Sequence, residues 1–219
     1  MNTQKQILTT AALLTLFAVI GAGIVGLTHD STYDVIKRNE QLYTLRKLNT
    51  ILPATRYDND LLDDQIELSA NPLLSGETSI AYRAFKDGKP VAVVLSPIAP
   101  NGYNGPINML VGINYDATIA GVRIIRHRET PGLGDAIEAE RSDWVQIYNG
   151  TSLQNPTEKK WKVKRDGGHF DQFTGATITP RAVVKAVRSA LVYFNQNRDK
   201  LFMQAKEPVK DASRTDQNS

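Results

Sequence analysis

Cysteine is absent from the chain. That excludes disulfides, thiolate-ligated iron–sulfur clusters and cysteine nucleophiles together. It does not identify a compartment, because a chain without thiols is equally stable in reducing and oxidising surroundings. Histidine is scarce too. His29, His127 and His169 are too few and too scattered for a dedicated zinc site, so no metal ligand is assigned. Any redox chemistry must use a bound organic cofactor. Excess charge of one sign is also missing: the net charge is +3 over 219 residues, with both signs spread along the chain. No basic stripe is interleaved with aromatics, so nucleic acid is not an expected partner. What remains is ordinary for a folded chain, 41% hydrophobic and 22% charged, and the length predicts one domain with an appendage.

Charge disappears altogether between Ile7 and Leu27. At about 1.5 Å per residue this run just spans a hydrocarbon core of about 30 Å. Each Leu, Ile, Val or Phe near its centre favours insertion by about 0.3–0.6 kcal/mol, and one charge would cost about 3. A cleaved signal peptide would have a shorter apolar region and an A-x-A-like site after it. Neither applies, so residues 1–29 read as an uncleaved transmembrane anchor. Lys5 before the run, and Asp30 and Asp34 after it, lean towards an internal amino terminus; Lys37 and Arg38 blur that signal. Gly21, Gly23 and Gly26 spell G-x-G-x-x-G, but inside the apolar run and not between a strand and a soluble helix. Ala22 and Gly26 suit close helix–helix contact in lipid instead.

Beyond the anchor, residues 30–76 read as a helical stalk and linker. Val35, Leu42, Leu45, Leu48 and Leu52 keep a helical spacing that Pro53 ends. The polar stretch from Arg56 to Gly76 reads as short helix and loop. Strands are expected at Ile80–Phe85 and Val91–Ser96, turning at Asp87-Gly88. Two more are expected at Ile107–Tyr115 and Ile119–His127, turning at Asp116-Ala117. A short helix is expected at Trp144–Tyr148 and a strand at Trp161–Lys164, with a turn at Asp166-Gly167-Gly168. Asn149-Gly150-Thr151 matches a glycosylation acceptor and is read as a turn. The last helix is the clearest: Thr179 reads as its N-cap and Pro180 as its first residue. Val183, Val187, Ala190, Leu191 and Phe194 form its apolar stripe. Residues 201–219 read as a disordered polar tail. The class is α+β, with antiparallel hairpins and flanking helices behind a single N-terminal transmembrane helix.

The segment Asp171-Gln172-Phe173-Thr174-Gly175-Ala176-Thr177-Ile178-Thr179-Pro180 stands immediately before that helix. Small residues at Gly175 and Ala176 leave Thr177 open to a large group. The amides of a helix start favour a phosphate, though by only about 0.3–1 kcal/mol, so a covalent bond would have to hold it. The plain alternative is a capped loop that binds nothing.

Thr174-Gly175-Ala176-Thr177 resembles the flavinylation motif of the FMN-binding domain family, with Asp171 at the position of its upstream aspartate. Two further segments resemble that family in the family's order: Glu129-Thr130-Pro131-Gly132-Leu133-Gly134, and Gly102-Tyr103-Asn104-Gly105-Pro106-Ile107. The resemblance covers about residues 5 to 200. Within the family it is closest to the G subunits of Rnf (also called Rsx) electron-transport complexes, and it extends to the C subunits of sodium-translocating NADH:quinone reductases. It implies FMN joined by a phosphoester to Thr177 by a flavin transferase, in an extracytoplasmic FMN-binding domain (residues 77–200). It also implies a bacterial inner membrane, a periplasmic soluble domain and other Rnf subunits as partners. Glu129, Thr130 and Leu133 would lie against the flavin, Gly175 and Ala176 would allow its approach, and a basic residue before the motif would stand near it. Lys162 and Lys164 both qualify for that last place. Tyr103 is open between site and core, and His127 between a structural histidine and a proton carrier. The implied function is electron relay within an ion-translocating complex, with no turnover by the chain alone and no catalytic residue, since one helix encloses no ion pathway. The rival reading is an extracytoplasmic flavin-binding sensory or scaffold module.

Overall fold

The computed structural model describes residues 3–203. The expected polar tail falls outside them from residue 204 onward, while Leu201–Met203 are the last residues of a helix. The chain divides into two compact units, residues 1–44 and 45–219.

Helix α1 runs from Thr3 to Ile51. In the first unit its apolar residues are open: Ile7, Leu8, Phe17 and Val25 are 63–70% exposed. Such an exposed apolar surface suits a lipid surround, and the helix is long and apolar enough to cross a membrane. The hydroxyls of Thr15 and Thr28 donate to the carbonyls of Ala11 and Ile24 at 2.9 and 2.8 Å. Polar side chains in this stretch are thereby satisfied within the helix, as an apolar solvent requires.

The second unit is an antiparallel sheet between two layers. Its strands are β1 (Gln65–Leu68), β2 (Ser79–Lys86), β3 (Lys89–Leu95), β4 (Ile98–Ala99), β5 (Ile107–Asn114) and β6 (Ile119–Arg126). β1 pairs with β2, β2 with β3 and β3 with β5; β4 continues β3 along the same edge of β5, and β6 pairs with β5. The β2–β3 turn falls at Asp87-Gly88, with φ of 52° and 71°. Two successive left-handed residues are what a tight hairpin needs, and Asp-Gly supplies them.

Period-two alternation sorts the strand side chains onto two faces. Ala81, Val93, Leu95, Val111, Ile113 and Val122 share one core with helix α2 (Ile178–Met203). That helix contributes Val183, Val187, Ala190, Leu191 and Phe194, all fully buried as the stripe predicts. Tyr82, Ala84, Ala92, Val94 and Leu110 face the other way, onto Leu48, Ile51, Leu52 and Leu61. These four residues lie in the stretch read as stalk and linker, yet they form the second layer.

A notch in the sheet receives the end of α1. Gly112 and Gly121 pair across β5 and β6, and a Cβ on Gly112 would fall 2.2 Å from Ile51 Cγ2. The Arg123 guanidinium donates to the Thr50 carbonyl at 3.0 Å and to its hydroxyl at 3.1 Å. It thus satisfies a helix-end carbonyl and places a cation at the negative end of the dipole.

Two expectations need correction. The strand expected at Trp161–Lys164 is not regular: short 3₁₀ turns cover 158–160 and 164–166, and only Val163 bridges to Phe170. Helix α2 also starts one residue before the expected N-cap, because the Arg181 amide bonds the Thr177 carbonyl. The cap position is therefore Thr177. Pro180 fits three residues in, where its missing N–H has no helical partner to lose. In addition, Arg56–Gly76 contains β1, which alternating Ile66 and Leu68 side chains pin to the core.

Candidate functional site

Three segments singled out in the sequence converge at the start of α2, and Glu129 joins them. Its carboxylate is buried, 5% exposed. Oε1 accepts the Asn104 amide at 3.1 Å. Oε2 accepts the hydroxyl of Thr179, itself fully buried. Asn104 adds a second bond, its Nδ2 donating to Thr130 Oγ1 at 3.1 Å. The carboxylate fits only because glycines flank it: a Cβ on Gly102 or on Gly134 would come within 2.8 Å of its oxygens. Sequence reading assigned Thr179 to capping; its hydroxyl serves this brace instead.

His127 extends the brace. Its Nδ1 accepts the Glu129 amide at 3.0 Å and its Nε2 meets Glu138 at 2.8 Å. With Nδ1 accepting, the network assigns the proton to Nε2. Both ring nitrogens are occupied, which is the arrangement of a structural histidine.

The motif itself is a tight turn, closed by the Ala176 amide on the Phe173 carbonyl at 3.3 Å. Gly175 takes φ of +82° there, a conformation glycine adopts without steric cost. A Cβ on Gly175 would face Leu133 Cδ2 at 3.7 Å, so the turn and the Leu133 loop lie side by side. From below, Trp144 Nε1 donates to the Asp171 carbonyl at 2.9 Å, and its ring meets Phe173 edge-on at 5.1 Å. Sequence reading gave neither Trp144 nor Asn104 a role at the site, because no local periodicity records which distant segment such a side chain will bond.

Above the turn the surface is open. Tyr103, Leu133 and Ile178 are 66%, 46% and 45% exposed. Tyr103 is therefore not a core aromatic. Thr177 is half-buried, and its Oγ1 is 3.4 Å from Arg165 Nη1. Of the two lysines left open, Lys164 pairs with Asp171 at 2.6 Å, which ties the strap 164–171 across the base of the motif. Lys162 is exposed. The cation at the hydroxyl is their neighbour Arg165. Asp166 takes a bidentate pair from Arg181 at 2.6 and 2.8 Å, and this hydrogen bonding holds its carboxyl below the usual carboxylate range.

These residues fit a flavin mononucleotide. The hydroxyl of Thr177 spends itself on no backbone cap among the described residues, Gly175 in the turn beside it has no Cβ, and exposed apolar side chains border it. A phosphate at the hydroxyl and an aromatic ring across Leu133 would each meet suitable chemistry.

The chain is similar to several known proteins. The FMN-binding domain family matches residues 102–192, a range holding all three converging segments. The RnfG N-terminal region family matches residues 1–51. The G subunit of the ion-translocating oxidoreductase complex of Shewanella piezotolerans is 43% identical over 90% of this chain and 94% of its own. Its namesake from Vibrio atlanticus is 45% identical over 88% and 92%. The crystal structure of Shewanella oneidensis NqrC aligns with a TM-score of 0.43 at 24% identity, over 67% of this chain and 73% of that one.

Proposed function

Because this chain belongs to the family of G subunits of ion-translocating oxidoreductase complexes, we propose that it relays electrons through an FMN joined covalently to Thr177. The flavin-carrier role follows from the family and from the FMN-binding domain. The attachment residue is our own reading, and the single observation that carries it is the position of Thr177. Its hydroxyl stands at the open start of α2, where the three converging segments meet and no backbone group among the described residues claims it.

FMN, when bound, supplies a ring able to accept and release one or two electrons. Everything else is the work of this chain. Thr177 anchors the phosphate as an ester. Gly175 keeps the adjoining backbone low enough for the group to pass. Leu133, Thr130 and Ile178 offer it an apolar and hydroxyl-lined bed. Glu129 supports that bed from beneath, binding both neighbouring segments while its carboxylate stays buried. Covalent attachment suits a domain outside the cytoplasm, where a dissociated cofactor would be lost. We place the domain in the periplasm, on an anchor in the inner membrane. Its partners are then the other subunits of the complex, with a flavin transferase during maturation.

The test is an intact mass and peptide map of the chain made together with its transferase. We expect a gain of FMN minus water on the peptide holding Thr177, and none in Thr177→Ala. An unmodified Thr177 in the presence of active transferase would sink the reading.

A further inference from the structure

We propose that Arg165 is the positioning residue that holds the phosphate of the attached FMN. The inference rests on the reading of Thr177 as the attachment site.

Four observations lead to it. First, Arg165 Nη1 lies 3.4 Å from Thr177 Oγ1, the hydrogen-bond contact of that hydroxyl among the described residues. Second, three of the other cations nearby are engaged, and the fourth, Lys162, is exposed and makes no hydrogen bond to the hydroxyl among the described residues. Lys164 is paired with Asp171, Arg181 with Asp166 and Arg188 with Glu158. Arg165 makes no close ion pair among the described residues; its charge acts on Asp166 only as a lesser influence, behind the Arg181 pair. Third, its backbone is fixed while its head stays exposed. The Arg165 amide donates to Gln172 Oε1 at 3.1 Å. The turn that carries it closes through the Gly167 amide on the Lys164 carbonyl at 2.9 Å, and the Lys164 amide on the Phe170 carbonyl at 2.7 Å. Fourth, the strap can be this tight only with glycine at 168, since a Cβ there would collide with the Lys162 backbone at 1.9 Å.

The chemistry fits the position. A phosphate esterified to both Thr177 and the ribityl chain keeps one ionised charge, shared by two free oxygens. Those oxygens lie one bond beyond phosphorus on the same hydroxyl that Arg165 already faces. A guanidinium presents two parallel N–H donors in a plane and matches such a pair of oxygens. Ester linkage at a single oxygen leaves the phosphate free to rotate; a bidentate partner fixes that rotation and so fixes where the ribityl chain departs. Lys164 would give only a point charge, and its ammonium is committed to Asp171.

The test uses the full chain, loaded by its transferase and purified in a phosphate-free detergent. The phosphorus NMR shift of the ester is compared in wild type, Arg165→Ala and Arg165→Lys. The reference is the FMN-bearing peptide released from each by proteolysis, where no protein contact remains. Intact mass reports how much of each is loaded, and Thr177→Ala serves as the unloaded control. We expect the wild-type resonance to stand apart from the peptide reference. Arg165→Ala should lose most of that separation, and Arg165→Lys should keep part of it, since charge is retained but the fork is lost. Because Arg165 is exposed, both variants should melt with wild type. An Arg165→Ala resonance that superimposes on wild type overturns the inference, even where loading has slowed; slowed loading alone would assign Arg165 to recognition by the transferase. Wild-type protein that carries no flavin removes the attachment reading itself, and this inference with it.

Discussion

Replacing Glu129 with alanine leaves two donors without an acceptor, the Asn104 amide and the buried Thr179 hydroxyl. The buried Thr179 hydroxyl left unsatisfied costs about 1–3 kcal/mol, and the amide of the exposed Asn104, which water can reach, costs less. Glu129→Ala should therefore lower the melting temperature clearly, and it should slow flavin loading because the three segments separate. Glu129→Gln keeps one carbonyl acceptor and should lose less of both; equal melting of Glu129→Ala and wild type would show that the brace is not made. A second prediction contrasts two glycines. Gly175→Ala meets Leu133 at an ordinary 3.7 Å and suffers mainly from its φ of +82°, a strain of about 1–2 kcal/mol. Gly134→Ala drives a methyl group against the Glu129 carboxylate, where a Cβ would sit at 2.8 Å. It should disturb stability and loading more, as denaturant melts and intact mass would report. At this scale the sequence was only partly legible. Thr177, Gly175 and Glu129 were visible because they stand in recognisable order. Arg165 was not, since it sits in an irregular turn where neither alternation nor helical spacing says which of three basic residues faces the hydroxyl.

At the scale of elements, the end of α1 is bound to the sheet by packing and by charge. Ile51 fills the glycine notch of β5 and β6, and overfilling a packed site costs about 1–3 kcal/mol. Gly112→Ala should be destabilised within that range, and pairing it with Ile51→Ala should recover part of the loss; additive losses in a double-mutant cycle would refute the notch. Lys47 and Glu140 make a second clasp. The Lys47 hydrogen bond is the main cause that holds the Glu140 carboxyl below its ordinary value. A carboxylate lowered on folding stabilises above its unfolded pKa, about 4.3, and that contribution disappears as pH falls through the lowered folded value. Glu140 is largely exposed, so the clasp is worth about 0.2–1 kcal/mol. Glu140→Gln should melt slightly below wild type at neutral pH and match it once both are acidified past that range. The hairpin at Asp87-Gly88 and the stripe of α2 were legible in the sequence because each rests on local geometry. The start of α2 was misplaced by two residues because Thr179 looks like a cap locally, and only its contact with Glu129 gives it another duty.

For the whole molecule, the two compact units make the sharpest prediction. A chain beginning at Leu45 keeps Leu48, Ile51 and Leu52 and should fold in the absence of the apolar helix. A chain beginning at Pro53 uncovers Tyr82, Val94 and Leu110. Fully burying each large apolar side chain is worth about 1.5–3 kcal/mol, so the shorter chain should be unstable or aggregate. Circular dichroism and gel filtration of both would decide between this and a domain that starts after the linker.

The sequence alone determined that one uncharged run is long enough to span a bilayer, that thiol chemistry is excluded, and that antiparallel hairpins precede an amphipathic helix. These follow from composition and short-range periodicity, which need no partner to be read. It also placed Thr177 at a helix start. Only the tertiary structure decided that Leu48, Ile51, Leu52 and Leu61 form a core layer and that Glu129 is a buried brace. It alone showed Arg165, and not either lysine, against the Thr177 hydroxyl. Each of those depends on contacts between residues far apart in the chain, and no local pattern records which distant group will occupy the facing side.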